Sequence, residues 1–172
     1  MRTVRRIVMT VVAVALAMVA VPLHTSAASS VPFHATLTEA VMSEGDCPAP
    51  QTQLHCVYVT GTGQATHLGA ITEKAVIVVD FSTLNPATGC ADEIRTSTLT
   101  AANNDQITLQ GPSVAVRNCL PFASPTWEDL WTVVSGTGRF AGATGSGTNT
   151  VSINRSTTPV TSVTTFTGRL SY

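Results

Sequence analysis

Segments rich in valine, isoleucine and threonine recur along this chain, separated by glycine, proline and asparagine. The β-branched residues favour strands, and no segment after residue 28 carries the apolar stripe of a helix. The residues between the segments are typical of turns. The sequence therefore predicts an all-β domain whose eight strands lie at about 33–42, 53–60, 69–81, 93–101, 105–117, 130–136, 146–154 and 161–171.

Two glycine-rich stretches echo each other, at 61–69 and at 136–145. Each begins Gly-Thr-Gly and ends on a further glycine, and each falls between predicted strands. Glycines at such places allow the turns and bends by which strands close into a barrel. Neither stretch completes a phosphate-binding glycine loop, so we expect both to be structural turns.

The first 28 residues have the composition of a cleavable signal peptide. Three arginines precede an apolar run over 7–21, and small residues follow up to Ala28. The run is too short to cross a bilayer comfortably, so we expect no stable membrane insertion. The sequence predicts a signal peptide over 1–28, one β-barrel domain over 29–172, and a secreted, extracellular protein.

Charge argues against nucleic acid as a partner. The chain has nine basic and ten acidic residues, and three of the basic ones belong to the predicted leader. Six basic residues then face ten acidic ones, a net charge of −4. A chain with this balance lacks the basic surface on which phosphate backbones bind.

Four cysteines follow the predicted leader, namely Cys47, Cys56, Cys90 and Cys119. An even number in an oxidising compartment implies two disulfides, for which three pairings are possible. We favour Cys47–Cys56 and Cys90–Cys119, because the first pair closes a short loop. No Cys-x-x-Cys or His-x-x-x-His spacing occurs, so no metal site is predicted.

Strand parity assigns one acidic residue to an apolar face. On the first predicted strand, Glu39 shares its face with Phe33, Leu37 and Val41. Inside a barrel, Glu39 would be desolvated and its pKa raised, as a general acid or base requires. The alternative is a frayed strand whose Glu39 reaches solvent at the barrel mouth. Acidic residues at strand ends are expected to serve in turns or caps, namely Asp80, Asp92, Glu93 and Asp105.

Two further segments carry structural expectations. The run from Ala75 to Val79 is apolar on both faces, which predicts a subunit contact or a covering segment outside the sheet. The stretch 118–129 is predicted to be a loop across one end of the barrel. Within it, Trp127 serves as a lid or interface anchor, or only covers the core.

Three short motifs resemble the allene oxide cyclase and dirigent barrel superfamily. GTGRFAGATG at 136–145 is similar to its glycine-rich turn, TLQGP at 108–112 to a Gln-Gly-Pro turn of the cyclases, and TWED at 126–129 to a Thr-Tyr-Glu-Asp motif. The motifs stand in the family's order over residues 105–155.

The resemblance implies an eight-stranded antiparallel β-barrel, frequently a homotrimer, that holds a small apolar molecule in its mouth without a cofactor. It sets Val41 at the position of the cyclases' catalytic glutamate and Val76 at that of a pocket cysteine. Glu39, two residues away on the same face, is then the candidate catalytic residue. The candidate ligand-binding residues are Phe33, Leu37, Val41, Val76 and Trp127.

Three functions stay open on the sequence alone. The first is a secreted barrel that binds a small hydrophobic ligand. The second is a structural or interaction module of the cell envelope or extracellular space, its barrel plugged by side chains. The third is a cofactor-free isomerase, of the cyclase or the dirigent kind. An open pocket of roughly 300 Å³ or more favours the first over the second.

Overall fold

A computed structural model describes residues 29–111, 118–121 and 124–172, without the side chains of Asn118 and Cys119. The predicted signal peptide lies outside these residues. The described strands are β1 Val31–Asp46, β2 His55–Ala65, β3 Gly69–Asn85, β4 Cys90–Ala101, β5 Gln106–Gln110, β6 Asn118–Pro121, β7 Thr126–Gly136, β8 Thr144–Asn154 and β9 Thr161–Ser171. A single 3₁₀ turn, Gly138–Phe140, precedes β8.

The strands close into an antiparallel barrel. Neighbours run β3-β2-β1-β9-β8-β7-β5-β4, and pairing between β3 and β4 completes the circle. The short β6 pairs with the first part of β4, while β5 pairs with its second part. β5 and β6 thus share one position in the wall, so that the nine strands fill eight positions. The predicted all-β, eight-stranded antiparallel barrel is confirmed.

Two local predictions are wrong in part. The stretch 118–129, expected to be a loop, contains β6 and the start of β7. Gly61 and Gly63, expected between strands, lie inside β2. A Cβ on Gly63 would stand 2.0 Å from the backbone oxygen of Thr36 on β1. Gly63 therefore lets two paired backbones approach closely.

Apolar side chains that point inward from strands around the barrel fill one half of its interior. Trp131 lies at the centre of this core, edge-on to Phe33 and Phe166, and donates a hydrogen bond from Nε1 to the Thr148 carbonyl at 2.9 Å. The buried core cluster is Phe33, Ala35, Leu37, Ala65, Leu68, Ile71, Leu99, Ala101, Ile107, Leu109, Trp131, Phe140, Ala143, Phe166 and Leu170.

The first predicted disulfide is confirmed. Cys47 and Cys56 are bonded and close the connection between β1 and β2. Cys90 is also disulfide-bonded. Because the side chain of Cys119 lies outside the described residues, the Cys90–Cys119 pairing stays a prediction. Within the described ranges, no helix has the length and apolar character needed to cross a membrane.

Candidate functional site

The other half of the barrel encloses an open cavity of about 490 Å³. It lies at the end where β1 and β3 finish and where β2 and β9 begin. Its apolar lining consists of Val41, Met42, Val57, Val59, Ile77, Val79, Phe81, Leu120, Trp127, Val151, Ile153, Pro159 and Val160. Its polar lining consists of Glu39, Ser43, Glu44, His55, Arg95, Arg155 and Ser162.

A buried ion-pair network separates this cavity from the apolar core. Nη2 of Arg95, on β4, donates to Oε1 of Glu39 at 2.5 Å and to Oε1 of Glu73 at 2.8 Å. Nε of Arg95 donates to Ser97 at 2.8 Å, and the Ser162 hydroxyl donates to the second oxygen of Glu39 at 2.8 Å. Because Glu39 and Arg95 also line the cavity, charged groups form its floor.

Strand register brings the two glutamates together. Glu39 on β1 pairs with Gly61 on β2, and Gly61 pairs with Glu73 on β3, so the three residues form one row across the wall. A Cβ on Gly61 would lie 3.0 Å from both Cγ of Glu39 and Oε2 of Glu73. The missing side chain of Gly61 therefore makes room for two carboxyl groups on one guanidinium.

The shared guanidinium pushes the two pKa values apart. Burial raises the pKa of Glu39, but the charge of Arg95 and hydrogen bonds from Glu73, Arg95 and Ser162 outweigh it, so the pKa of Glu39 is lowered. Burial, with the negative charge of Glu39 beside it, raises the pKa of Glu73 to about 7. The expected upward shift for Glu39 is thus wrong in direction, because Arg95 stabilises its charged form.

A second buried carboxyl pair consists of Glu93 on β4 and Asp129 on β7. Glu93 is 4% exposed and Asp129 is 3% exposed. Burial and the neighbouring Asp129 raise the pKa of Glu93 to about 8, and burial also raises the pKa of Asp129. The indole Nε1 of Trp127 donates to Oδ2 of Asp129 at 2.8 Å. The expectation that Glu93 is a turn or capping residue is wrong, since its side chain points inward.

The buried polar residues between the cavity and the apolar core form a polar layer, and several of its polar atoms have no hydrogen-bond partner among the described residues. They are Oε2 of Glu73, Oε2 of Glu93, Oδ1 of Asp129, Nδ2 of Asn149 and Oγ1 of Thr164. Four buried carboxyl groups face one buried arginine, so all four cannot be ionised together at a tolerable cost. The layer therefore holds protons at neutral pH. Within the same part of the chain, no group of three or more His, Cys, Asp or Glu residues could hold a metal ion.

The residues predicted to bind a ligand separate into three groups. Val41 and Trp127 line the cavity. Phe33 and Leu37 lie in the packed half of the barrel, on the far side of the buried polar residues, and do not line the cavity. Val76 alternates with the lining residue Ile77 and so lies on the outer face of β3. The geometry therefore excludes Phe33, Leu37 and Val76 from the cavity wall.

Four charged residues of the polar layer were not predicted from the sequence as interior residues, namely Glu73, Glu93, Arg95 and Asp129. The alternation of inward and outward side chains along a strand, which identified Glu39, could have identified them as well. Glu73 alternates in step with the buried residues Ile71, Ala75 and Val79 of β3.

No family model matches this sequence, and no curated protein matches it. Among the solved structures, the pterocarpan synthase dirigent protein GePTS1 is similar, with a TM-score of 0.49 and 14% identity over 91% of this chain and 96% of that chain. The strand order of this chain is that of a closed antiparallel barrel with eight wall positions, which is the fold predicted from the sequence.

Proposed function

We propose that this is a secreted protein whose barrel mouth binds a small apolar molecule. The observation that carries the proposal is the open cavity of about 490 Å³. Its volume lies within the range of roughly 300–1,000 Å³ that is usual for small-molecule sites. Its walls are mainly aliphatic and its floor is polar, a combination that buries an apolar body and orients one polar group.

The disulfide Cys47–Cys56 supports secretion, because such bonds persist in oxidising compartments. The secretion step has its own test. N-terminal sequencing of material recovered outside the cell should find a chain that begins at Ala28 or Ser29. A secreted chain that retains residues 1–21 would contradict the predicted cleavage.

Ligand binding is tested with a neutral apolar dye, Nile red, and a variant that fills the cavity. Val57 lines the cavity, whereas Thr60 on the same strand is exposed on the outer face. The wild-type protein and Thr60→Trp should bind the dye with the same affinity, and Val57→Trp should lose binding while its circular dichroism stays unchanged. Equal binding by Val57→Trp, or none by the wild type, would contradict the proposal.

One observation favours catalysis as a second candidate, namely a cofactor-free isomerase. Glu39 lines the cavity and shares Arg95 with Glu73, whose pKa is raised to about 7. A carboxyl group that titrates near neutral pH is suited to general acid–base work, and because Glu73 does not line the cavity, its proton would reach a ligand through Glu39. If the protein is an isomerase, Glu39→Gln should lose turnover and keep binding. Unchanged binding with no turnover in either protein supports a passive binding protein.

The structural-module alternative predicts a barrel plugged along its length. Packed side chains fill the half that contains Trp131, while the half that contains Val57 is open. The binding hypothesis therefore has more support than the structural one. A homotrimer stays a prediction from the family resemblance, and sedimentation of the purified protein tests it.

A further inference from the structure

Acidic side chains outnumber basic ones in the buried layer at the cavity floor. Four acidic side chains are no more than 4% exposed, while Arg95, at 5% exposure, is the one buried base in the described part of the chain. The four are Glu39, Glu73, Glu93 and Asp129. In an interior of low dielectric, an uncompensated negative charge is far more costly than in water. The floor therefore favours a positive charge over a negative one.

Arg95 already shares its charge with two carboxyl groups. Its Nη2 already binds both Glu39 and Glu73, at 2.5 and 2.8 Å, and its Nε binds Ser97. An incoming carboxylate would share the guanidinium with Glu39 and Glu73 and would add a net negative charge to a buried site.

Acceptor atoms, by contrast, are in surplus. Oε2 of Glu73, Oε2 of Glu93 and Oδ1 of Asp129 are buried and have no hydrogen-bond partner among the described residues. Asp129 also holds the indole of Trp127, which lines the cavity. These three carboxyl groups lie behind the cavity wall and add to its negative field. Glu39 and Trp127 line the cavity, so an ammonium group at the floor can donate to the Glu39 carboxylate and lie against an aromatic ring.

The basic residues at the rim do not reverse this balance. Arg155 is exposed, and its Nη1 donates to the backbone oxygen of Ser124 at 2.9 Å. Nε2 of His55 stands 3.8 Å from a carboxylate oxygen of Glu44. Water and salt screen charges at such positions, so their attraction for a ligand is weak.

We propose that the barrel mouth prefers a cationic amphiphile, an amine-type cation on an apolar body, which binds with its ammonium group toward the acidic floor. This inference rests on the proposed function and names the ligand class for the same cavity. Because the pKa of Glu73 is raised to about 7 and that of Glu93 to about 8, the bound cation should draw a proton out of the floor. Binding is then coupled to proton release.

Three probes with the same chain and different head groups test the preference: decylamine, decan-1-ol and decanoate. Their binding to the purified protein is measured by calorimetry at neutral pH, in two buffers of different ionisation enthalpy. A charge-assisted hydrogen bond predicts that decylamine binds at least roughly tenfold more tightly than decan-1-ol, and decanoate most weakly. The buffer dependence should show proton release with decylamine alone.

A matched pair of variants tests whether the preference for a cation depends on the acidic residues at the cavity floor. Asp129→Asn keeps an oxygen acceptor for Trp127 and removes the charge, so decylamine should lose most of its advantage. Glu128→Gln, on the adjacent exposed position of the same strand, should bind all three probes as the wild type does. The proton count on the wild-type protein decides the matter even if Asp129→Asn does not fold.

The failures of the two proposals are distinct. If decan-1-ol binds as tightly as decylamine, or decanoate binds more tightly, the charge preference is wrong and the apolar binding site stands. If none of the three probes binds, the site itself is absent and both proposals fall.

Discussion

The buried ion-pair network leads to a prediction about two substitutions that must be made together. Glu39 and Glu73 both bind Nη2 of Arg95, which is 5% exposed. Removing either carboxylate leaves the other in place. Removing both leaves the guanidinium buried without either of its ion-pair partners.

The magnitudes follow from this geometry. In Glu39→Gln, Glu73 loses its negative neighbour, so its pKa falls and it becomes the ionised partner of Arg95. The variant should lose about 1.5 kcal/mol of unfolding free energy, the scale of one charge-assisted hydrogen bond. Glu73→Gln removes a carboxyl whose pKa of about 7 leaves it only about half ionised at pH 7, and should cost under about 1 kcal/mol. The double variant should lose about 3–5 kcal/mol, because it breaks a buried ion pair on one side only.

Urea unfolding at pH 7 of the wild type and the three variants measures these differences as a double-mutant cycle. Glu128→Gln, which changes an exposed carboxylate, serves as the control and should match the wild type. The double variant should exceed the sum of the single variants. If the losses are additive, Glu39 and Glu73 do not substitute for each other on Arg95, and our account of the floor is wrong.

Three further predictions concern stability. Glu73 and Glu93 have raised pKa values in the folded protein, so the unfolding free energy should fall as pH rises from about 4.5 to 8, by up to about 1.4 kcal/mol per pH unit for each proton. Calorimetry over this pH range measures the unfolding free energy, and an increase with pH would contradict the prediction. A Cβ on Gly168 would stand 2.6 Å from Cζ2 of Trp131, so Gly168→Ala should cost about 1–3 kcal/mol, and unchanged thermal stability would refute the close packing. Cys47→Ala should lower the unfolding free energy by roughly 2–3 kcal/mol, and no loss would show that the loop constraint is unimportant.

The fold was predictable because it depends on local patterns. The β-branched segments between glycine and proline predicted eight of the nine strands, most of them within about five residues of the observed bounds, but β6 was assigned to a loop and β5 ends earlier than predicted, at Gln110. Parity along β1 correctly gave Glu39 an inward direction. The alternation of side chains along a strand does not say how far along the barrel axis an inward-pointing residue lies. Phe33 and Leu37 share the face of Glu39, but they lie in the packed half because Trp131 and Phe166, from strands far away in sequence, fill it.

The polar layer could not be predicted with the same ease. Arg95 lies 56 residues from Glu39 in sequence, and only the register of the closed barrel brings them into contact. That contact also reversed the expected pKa shift of Glu39, since burial alone would raise it. Glu93 was assigned to a strand end although its parity on β4 is that of Ala91 and Leu99.

A crystal structure of the protein soaked with a neutral apolar probe such as decan-1-ol would test binding in the barrel mouth. We expect electron density for the probe inside the mouth, between Val57 and Val151 and above the pair of Glu39 and Arg95. Side chains from elsewhere in the chain that fill this space, or a probe bound only on the outer surface of the barrel, would contradict it.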